Sequence, residues 1–365
     1  MPRLGEETSA AAVSNPGTFP APDEAAPVNG PAECLHCSGE AVTEQPKSPA
    51  DDLPAPNLAP SSKPAAGSGS ISFAQMLDTF RNNSRPWTLR LADRVLTGRT
   101  WGSGPPLYFL NGFIGSHELY APLAWLLRKS FRCVVFDDNA GDKRQFSRGS
   151  TLLTAFTDGL FAVADDHGDA EFPVFGSSFG SLVALNAMSS QPQRIEHAIL
   201  LHAFAQRQLS MFERALTLLG GLTPGRFDRI PLHDRLLALN HRHWFPQFDR
   251  ARWQFFLADT GQTPLSVLAR KAAVIRDCDR RAALASIGQP VLLIGSEGGG
   301  AIASACQQDC EARLPNARTE YLDNCGFLPH LTQSHRLATL VRSFLQGAAP
   351  RETARAAPRE TKSAC

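Results

Sequence analysis

The 365-residue sequence lacks the features that mark membrane-spanning, nucleic-acid-binding or secreted proteins. Its 36 Lys and Arg residues are matched by 35 Asp and Glu residues, so no excess positive charge is present to attract nucleic acid or an anionic membrane. No uninterrupted apolar run approaches the length of a transmembrane helix. The first residues have no apolar stretch typical of a secretory signal, so we expect a cytoplasmic protein with mostly free thiols.

The sequence also offers little for a metal or a redox group. Cys34 and Cys37 form a C-x-x-C pair, but a zinc site needs a second pair of ligands and the next cysteine is Cys133. His241 and His243 are two residues apart and would face different directions on a helix. We therefore expect no metal site and no cofactor.

Proline is concentrated at one end of the chain. Residues 1–70 contain 12 of the 27 prolines and few aromatic residues, a composition that cannot bury enough apolar surface to fold. Ala-Pro-Arg-Glu-Thr occurs at 349–353 and again at 357–361. We expect disordered tails at 1–70 and 348–365, and one folded domain at 71–347.

Between these tails, short apolar runs alternate with stretches of helical length. This alternation predicts an α/β fold with a mostly parallel sheet covered by helices on both faces, after an antiparallel hairpin at 87–91 and 94–97. The predicted strands lie at 106–110, 133–136, 173–175, 198–201, 291–294 and 319–322. The predicted helices lie at 121–129, 151–166, 180–190, 301–313 and 335–346.

The segment from about 207 to 285 interrupts this alternation with helical sequence rich in Phe and Trp. Its position after the sixth strand-like run is typical of a helical cap over the carboxyl ends of the strands. Such a cap would supply an apolar pocket for a small ligand. The alternative is that its aromatic side chains only pack the cap onto the core.

One motif points directly to chemistry. The Gly-Ser-Ser-Phe-Gly sequence at 176–180 follows a short apolar strand and opens a helix. Strand, G-x-S-x-G and helix in this order are typical of the nucleophile elbow of α/β-hydrolases, which would make Ser178 the nucleophile. Residues 110–116 follow an earlier strand, so the backbone N–H groups of Phe113 and Phe179 are the expected oxyanion donors.

The residues that should activate Ser178 are missing from their usual positions. The acid normally ends a Gly-x-x-Asp sequence after the penultimate strand, and here Gly298 stands at that position. Glu297 is adjacent and could substitute only if the backbone shifted locally. We regard Glu297 as a candidate acid in a loop that its glycines make poorly suited to holding a carboxylate.

The base position departs from the pattern as well. The usual Gly-His sequence after the last strand reads Gly326-Phe327, so Phe327 occupies the position of the catalytic histidine. His330 and His202 are the candidates for a relocated base, because one follows the motif and the other ends a strand beside the elbow. The alternative for His330 is a packing or capping role in the first turn of the following helix. His117 and His197 are expected to face solvent.

The region from about 72 to 347 resembles the α/β-hydrolase superfamily and, within it, the maspardin group. The resemblance to maspardin rests on the sequences at 175–180, 289–294, 314–318 and 326–329, the last of which lacks the catalytic histidine in that group too; 261–266 is a weaker match. It implies an incomplete triad and a cytosolic adaptor that binds partners. Gly298 and the Pro-rich tail depart from the maspardin pattern.

Two functions follow from these residues. The first is a binding or adaptor protein, or a very weak hydrolase, with a small apolar ligand under the cap or a protein partner. The second is a serine hydrolase of small apolar esters, in which Ser178 acts with a relocated base. An unactivated serine is a weak nucleophile, which favours the first function.

Overall fold

The computed structural model describes residues 71–138, 149–211, 213–215 and 225–347. These residues form an eight-stranded sheet with the strand order β1-β2-β4-β3-β5-β6-β7-β8. The tails predicted at 1–70 and 348–365 lie outside the described residues. The strands are β1 Arg85–Arg90, β2 Val95–Trp101, β3 Pro106–Leu110, β4 Arg132–Asp137, β5 Phe172–Ser177, β6 Ile195–Leu201, β7 Val291–Ser296 and β8 Ala317–Leu322.

The sheet has the predicted mixture of strand directions. β1 pairs antiparallel with β2, and β2 pairs antiparallel with β4, whereas every pairing from β4 across to β8 is parallel. β5 and β7 are buried along their whole length, as expected for continuous apolar runs covered on both faces. The α/β-hydrolase architecture expected from the sequence is confirmed, and the carboxyl ends of β3, β5, β6 and β7 meet at one edge of the sheet.

Ten helices with both ends in the described ranges accompany the sheet. Ser72 caps the first helix, and its side chain and that of Gln75 form a capping box. None of the described helices is long and apolar enough to span a bilayer. The helices are α1 Phe73–Asn83, α2 Ala121–Leu127, α3 Gly149–Asp166, α4 Phe179–Ser190, α5 His233–His241, α6 Arg250–Gly261, α7 Leu265–Asp277, α8 Gly300–Arg313, α9 Pro329–Thr332 and α10 Ser334–Leu345.

Three of these helices, α5, α6 and α7, lie between β6 and β7 in the chain, within the segment predicted as a cap. We call them the inserted helices. Phe245 and Phe256 are buried, and their ring centroids are 5.3 Å apart. α7 packs against α3 of the core. Phe245 and Phe256 therefore pack within the inserted segment, and Phe227 and Phe256 also border the cavity described below, whereas Phe248 is exposed.

Candidate active site

Ser178 lies in a sharp turn between β5 and α4. Its φ of 51° and ψ of −109° are rarely adopted by a residue with a side chain. The flanking glycines permit this turn: a Cβ on Gly176 would lie 2.6 Å from the Gly180 carbonyl oxygen, and one on Gly180 would lie 2.2 Å from that of Leu110. The Ser178 N–H donates to the Leu201 carbonyl at 2.8 Å. The pentapeptide thus has the geometry of a nucleophile elbow.

Two backbone N–H groups are available beside this serine. Phe179 is the first residue of α4, so its N–H has no acceptor within the helix. No described residue accepts a hydrogen bond from the Phe113 N–H. Phe113 belongs to the loop after β3, residues 111–117, which we call the oxyanion loop. Ser178 and Phe113 border the same cavity, which is the arrangement that an oxyanion hole requires.

Asp137, at the end of β4, holds both ends of the oxyanion loop. Its Oδ1 accepts from the Asn111 side chain at 2.6 Å and from the His117 N–H at 2.8 Å. Its Oδ2 lies 2.6 Å from the His117 ring Nδ1. Burial lowers the pKa of His117, but its hydrogen bond to Asp137 and the charge of that carboxylate raise the pKa overall. The expectation that His117 faces solvent is wrong, because Asp137 draws its ring inward.

The inserted helices hold the middle of the oxyanion loop. Asp259 on α6 accepts from the Ser116 N–H at 2.8 Å, and Thr263 accepts from the Gly115 N–H at 2.9 Å. Burial raises the pKa of Asp259 to about 6, against the effect of its hydrogen bonds to Ser116. Lys271 on α7 donates to the Gly112 carbonyl at 2.7 Å. No local sequence pattern indicates that these three side chains serve the loop.

The position of the usual acid is closed to a larger residue. Gly298 donates its N–H to the Cys325 carbonyl at 2.8 Å, and a Cβ on Gly298 would lie 2.5 Å from the Gly326 Cα. The neighbouring Glu297 is exposed, and its carboxylate accepts from the Asn324 N–H at 3.0 Å. The structure does not bring Glu297 into the lining of the cavity that contains Ser178.

Phe327, at the position of the usual base, stacks on His202. The two ring centroids are 4.3 Å apart and the planes differ by 5°. The His202 Nε2 lies 3.2 Å from the Ser296 hydroxyl, which itself donates to the Gly326 carbonyl. Burial lowers the pKa of His202 to about 4, in spite of a hydrogen bond with the Phe327 backbone. His202 lies beneath Phe327 and does not line the cavity of Ser178.

His330 does line that cavity. It lies on α9 with only 2% of its surface exposed, and its ring packs against Tyr120 at a centroid distance of 4.9 Å. Among the described residues, its Nδ1 has no hydrogen-bond partner. Burial, together with the nearby His202, lowers the pKa of His330 to about 3. His330 is therefore neutral at physiological pH and weakly basic.

The cavity above Ser178 has a volume of about 480 Å³, and we call it the Ser178 cavity. Its lining is mainly apolar, with a few polar groups that include an ion pair between Arg207 and Glu213. No group of three or more His, Cys, Asp or Glu in the described ranges is arranged to hold a metal ion. The apolar lining of the Ser178 cavity comes from Phe113, Ile114, Leu119, Phe227, Leu236, Leu237, Phe256, Phe327 and Leu328.

His241, which the sequence suggested only as half of a poor metal pair, also lines the Ser178 cavity. Its ring centroid is 5.6 Å from that of Phe256. Burial, together with the charge of His243, lowers the pKa of His241 to about 4. This placement could not be predicted from the sequence, because it depends on how α5 packs in the folded protein.

The elbow, the oxyanion loop and the inserted helices together indicate the class of protein. The family model for the alpha/beta hydrolase fold matches residues 105–334, a range that includes the elbow, the oxyanion loop and the inserted helices. The chain belongs to that family.

Two curated relatives are similar in sequence. The pimeloyl-[acyl-carrier protein] methyl ester esterase of Aromatoleum aromaticum is 28% identical over 211 residues, which cover 55% of this chain and 82% of the relative. The enzyme of the same name from Xanthomonas campestris pv. campestris is 26% identical over 253 residues, which cover 67% of this chain and 96% of the relative.

Solved structures agree on the fold. A hydrolase from Pseudomonas aeruginosa PA01 has a TM-score of 0.60 and 21% identity, covering 71% of this chain and 98% of that chain. A thermophilic esterase from Thermogutta terrifontis has a TM-score of 0.59 and 16% identity, covering 72% and 98%. At these identities the likeness concerns the fold alone.

Proposed function

We propose that this protein binds a small apolar ester or related acyl compound in the Ser178 cavity and turns it over very slowly or not at all. The observation that carries the proposal is the occupation of both activating positions. Phe327 stands where a base would lie, and Gly298 stands where its acid would lie. Because a Cβ on Gly298 would meet the Gly326 backbone, the loop is built around the absence of an acid there.

The other half of the site supports recognition of a carbonyl group. Ser178 and Phe113 line one cavity, and Phe179 begins the helix that follows the serine. Two N–H donors at this place can hold a carbonyl oxygen whether or not the serine attacks it. The mainly apolar lining suits the chain on the other side of the carbonyl.

The histidines in and beside the site are poorly suited to activate Ser178. Burial depresses the pKa of His330, His202 and His241 to about 3 or 4. A general base is most effective when its pKa lies near the working pH, so these imidazoles would accept a proton weakly. This supports binding over turnover.

The names of the curated relatives suggest a chemical class for the ligand. Two of them are named as methyl ester esterases that act on a pimeloyl group carried by acyl-carrier protein. We propose a methyl ester or thioester of a medium-length acyl chain as the ligand class. The resemblance to maspardin supports a further element of the proposal, namely that the protein acts in the cytoplasm as a triad-deficient adaptor for a protein partner.

The ligand proposal can be tested with methyl octanoate. We expect wild-type protein to bind the ester in a calorimetric titration and to return it intact after prolonged incubation. Leu237→Trp should block binding because Leu237 lines the cavity. Leu239→Trp is the matched control, because Leu239 lies on the same helix but is 80% exposed. Equal binding by both variants, or none by wild type, would refute the proposal.

A second function has one observation in its favour. His330 lines the same cavity as Ser178, and its Nδ1 lacks a hydrogen-bond partner among the described residues. Under this alternative function, His330 is the relocated base of a serine esterase. Ser178→Ala and His330→Ala would then each abolish hydrolysis of methyl octanoate, whereas His202→Ala would not. Loss of hydrolysis in His202→Ala alone would instead identify His202 as the base.

A further inference from the structure

Lys271 approaches the oxyanion loop from behind. It lies on α7 and is only 5% exposed, and it borders a small cavity of about 190 Å³ on the side of the loop away from Ser178. The lining of the Ser178 cavity does not include it. A lysine this deeply buried is uncommon, because removing its charge from water is costly unless specific partners compensate.

The partners of the ammonium group are backbone carbonyls of the oxyanion loop. The Lys271 Nζ donates to the Gly112 oxygen at 2.7 Å and lies 3.4 Å from the Phe113 oxygen. It also lies 5.4 Å from the centroid of the Phe179 ring. The amine therefore contacts both residues whose N–H groups are the oxyanion donors.

The Gly112 carbonyl and the Phe113 N–H belong to the same peptide plane. In a trans peptide these two groups point in opposite directions. When Lys271 holds the carbonyl on one side of the loop, the N–H must point to the other side, where Gly112 and Phe113 line the Ser178 cavity. The hydrogen bond from Lys271 thus fixes the direction of the oxyanion donor.

We propose that Lys271 is a positioning residue that orients and polarises the Gly112–Phe113 peptide so that the Phe113 N–H binds a ligand's carbonyl oxygen. A positive charge on a carbonyl oxygen draws electron density along the peptide and strengthens its N–H as a donor. The inference rests on the proposed function, in that a carbonyl group must occupy the hole.

The charge needed for this role is present at neutral pH. Burial lowers the pKa of Lys271 to about 8, while the charges of Asp137 and Asp138 act in the opposite direction. The amine is mainly protonated at pH 7. Both aspartates border the small cavity behind the loop and neither lines the Ser178 cavity, so the cation is compensated from the side of the small cavity.

The test compares two ligands that differ at one group. Methyl hexyl ketone labelled with carbon-13 at the carbonyl reports hydrogen bonding through its chemical shift, and the alkene in which CH₂ replaces the oxygen reports cavity binding alone. We expect Lys271→Met to weaken ketone binding about tenfold, to change alkene binding less than about twofold, and to return the carbonyl shift toward that of the ketone in an apolar solvent.

A control variant separates positioning from simple anchoring of the loop. Thr263→Val removes the acceptor of the Gly115 N–H but leaves the Gly112–Phe113 peptide untouched. It should preserve the carbonyl shift of the bound ketone. If Lys271→Met does not fold, Lys271→Gln, which keeps a polar group without the charge, should show the same direction of change. An unchanged carbonyl shift in the folded Lys271 variant, or an equal change in Thr263→Val, would overturn the proposal.

A second readout distinguishes failure of this inference from failure of the proposed function. If wild type binds neither ligand, the proposed function fails. In that case the positioning role of Lys271 is tested by the amide signal of Phe113 in ligand-free protein labelled with nitrogen-15 phenylalanine. A single sharp signal that shifts upfield and broadens in Lys271→Met supports the positioning role, and an unchanged signal contradicts it.

Discussion

The two halves of the candidate site are built in different ways. The elbow and the oxyanion loop depend on backbone geometry: a strained Ser178, glycines in close contact, and a loop whose Phe113 borders the same cavity as Ser178. The acid and base half depends on side chains, and there Gly298 and Phe327 offer no proton-transfer group. Geometry that the backbone supplies is required by the fold itself, whereas side-chain chemistry can be absent without disturbing the sheet.

The largest effect is expected where the backbone half is most crowded. Gly180→Ala would place a methyl group 2.2 Å from the Leu110 carbonyl oxygen, so one of the two segments must move. We expect the free energy of unfolding to fall by about 4 kcal/mol or more. Gly288→Ala is the control, since a Cβ there meets nothing within 4 Å. Equal chemical denaturation midpoints for the two variants would contradict the claim that the backbone around Gly180 excludes a Cβ.

Restoring the acid should be costly for a related reason. Gly298→Asp would place its Cβ 2.5 Å from the Gly326 Cα, which is backbone and can move only with its loop. We expect a loss of about 2–3 kcal/mol in the free energy of unfolding. Gly288→Asp, in open space, should change it little. If Gly298→Asp is as stable as wild type, the loop is not built around the missing acid.

The buried histidine of the side-chain half should make the protein sensitive to acid. Burial lowers the pKa of His330 to about 3, below its value near 6.5 in the unfolded chain. Below pH 6.5 the unfolded state binds the proton and the folded state does not, so stability falls as the pH drops toward 3. Between pH 6.5 and 5 the loss from this group is about 2 kcal/mol.

Denaturation curves of His330→Phe measured at pH 7 and pH 5 test this directly. The variant should lose less stability over that interval than wild type, because its side chain cannot bind a proton. His335→Phe is the matched control, since His335 is exposed on the following helix. A pH dependence of His330→Phe that matches wild type would show that His330 does not carry the effect.

The smallest expected effect sharpens the comparison between the two halves. Phe327→His returns an imidazole to the usual base position but leaves it without an acid. We expect Ser178-dependent hydrolysis of a p-nitrophenyl ester to rise about tenfold, a fraction of what a full triad supplies. The increase should vanish in the Phe327→His, Ser178→Ala double variant. No increase would mean that the elbow half is not competent even when a base is supplied.

The sheet and the elbow could be predicted because their signals are local. Continuous apolar runs mark the buried strands, and the glycines at 176–180 mark a turn that other residues could not make. The absence of the usual acid at Gly298 and of the usual base at Phe327 can also be read directly from the sequence. All of these inferences depend on neighbouring residues.

The supports of the oxyanion loop could not be predicted, because they act across long stretches of chain. Lys271 reaches the Gly112 carbonyl from 159 residues away, and nothing in its own helix indicates that contact. The inward position of His117 could not be predicted for the same reason, since its partner Asp137 lies 20 residues away at the end of β4. The choice between His202 and His330 as the candidate base also depends on the structure, because only His330 lines the Ser178 cavity.

The most direct test of the central proposal is labelling of the purified protein with a fluorophosphonate probe, beside an active serine esterase and Ser178→Ala. Such probes react with serines that their surroundings make nucleophilic. We expect wild type to label at least about 100-fold more slowly than the active esterase, because Ser178 lacks an effective base. Rapid labelling of wild type that is lost in Ser178→Ala would contradict the proposal and establish an activated nucleophile.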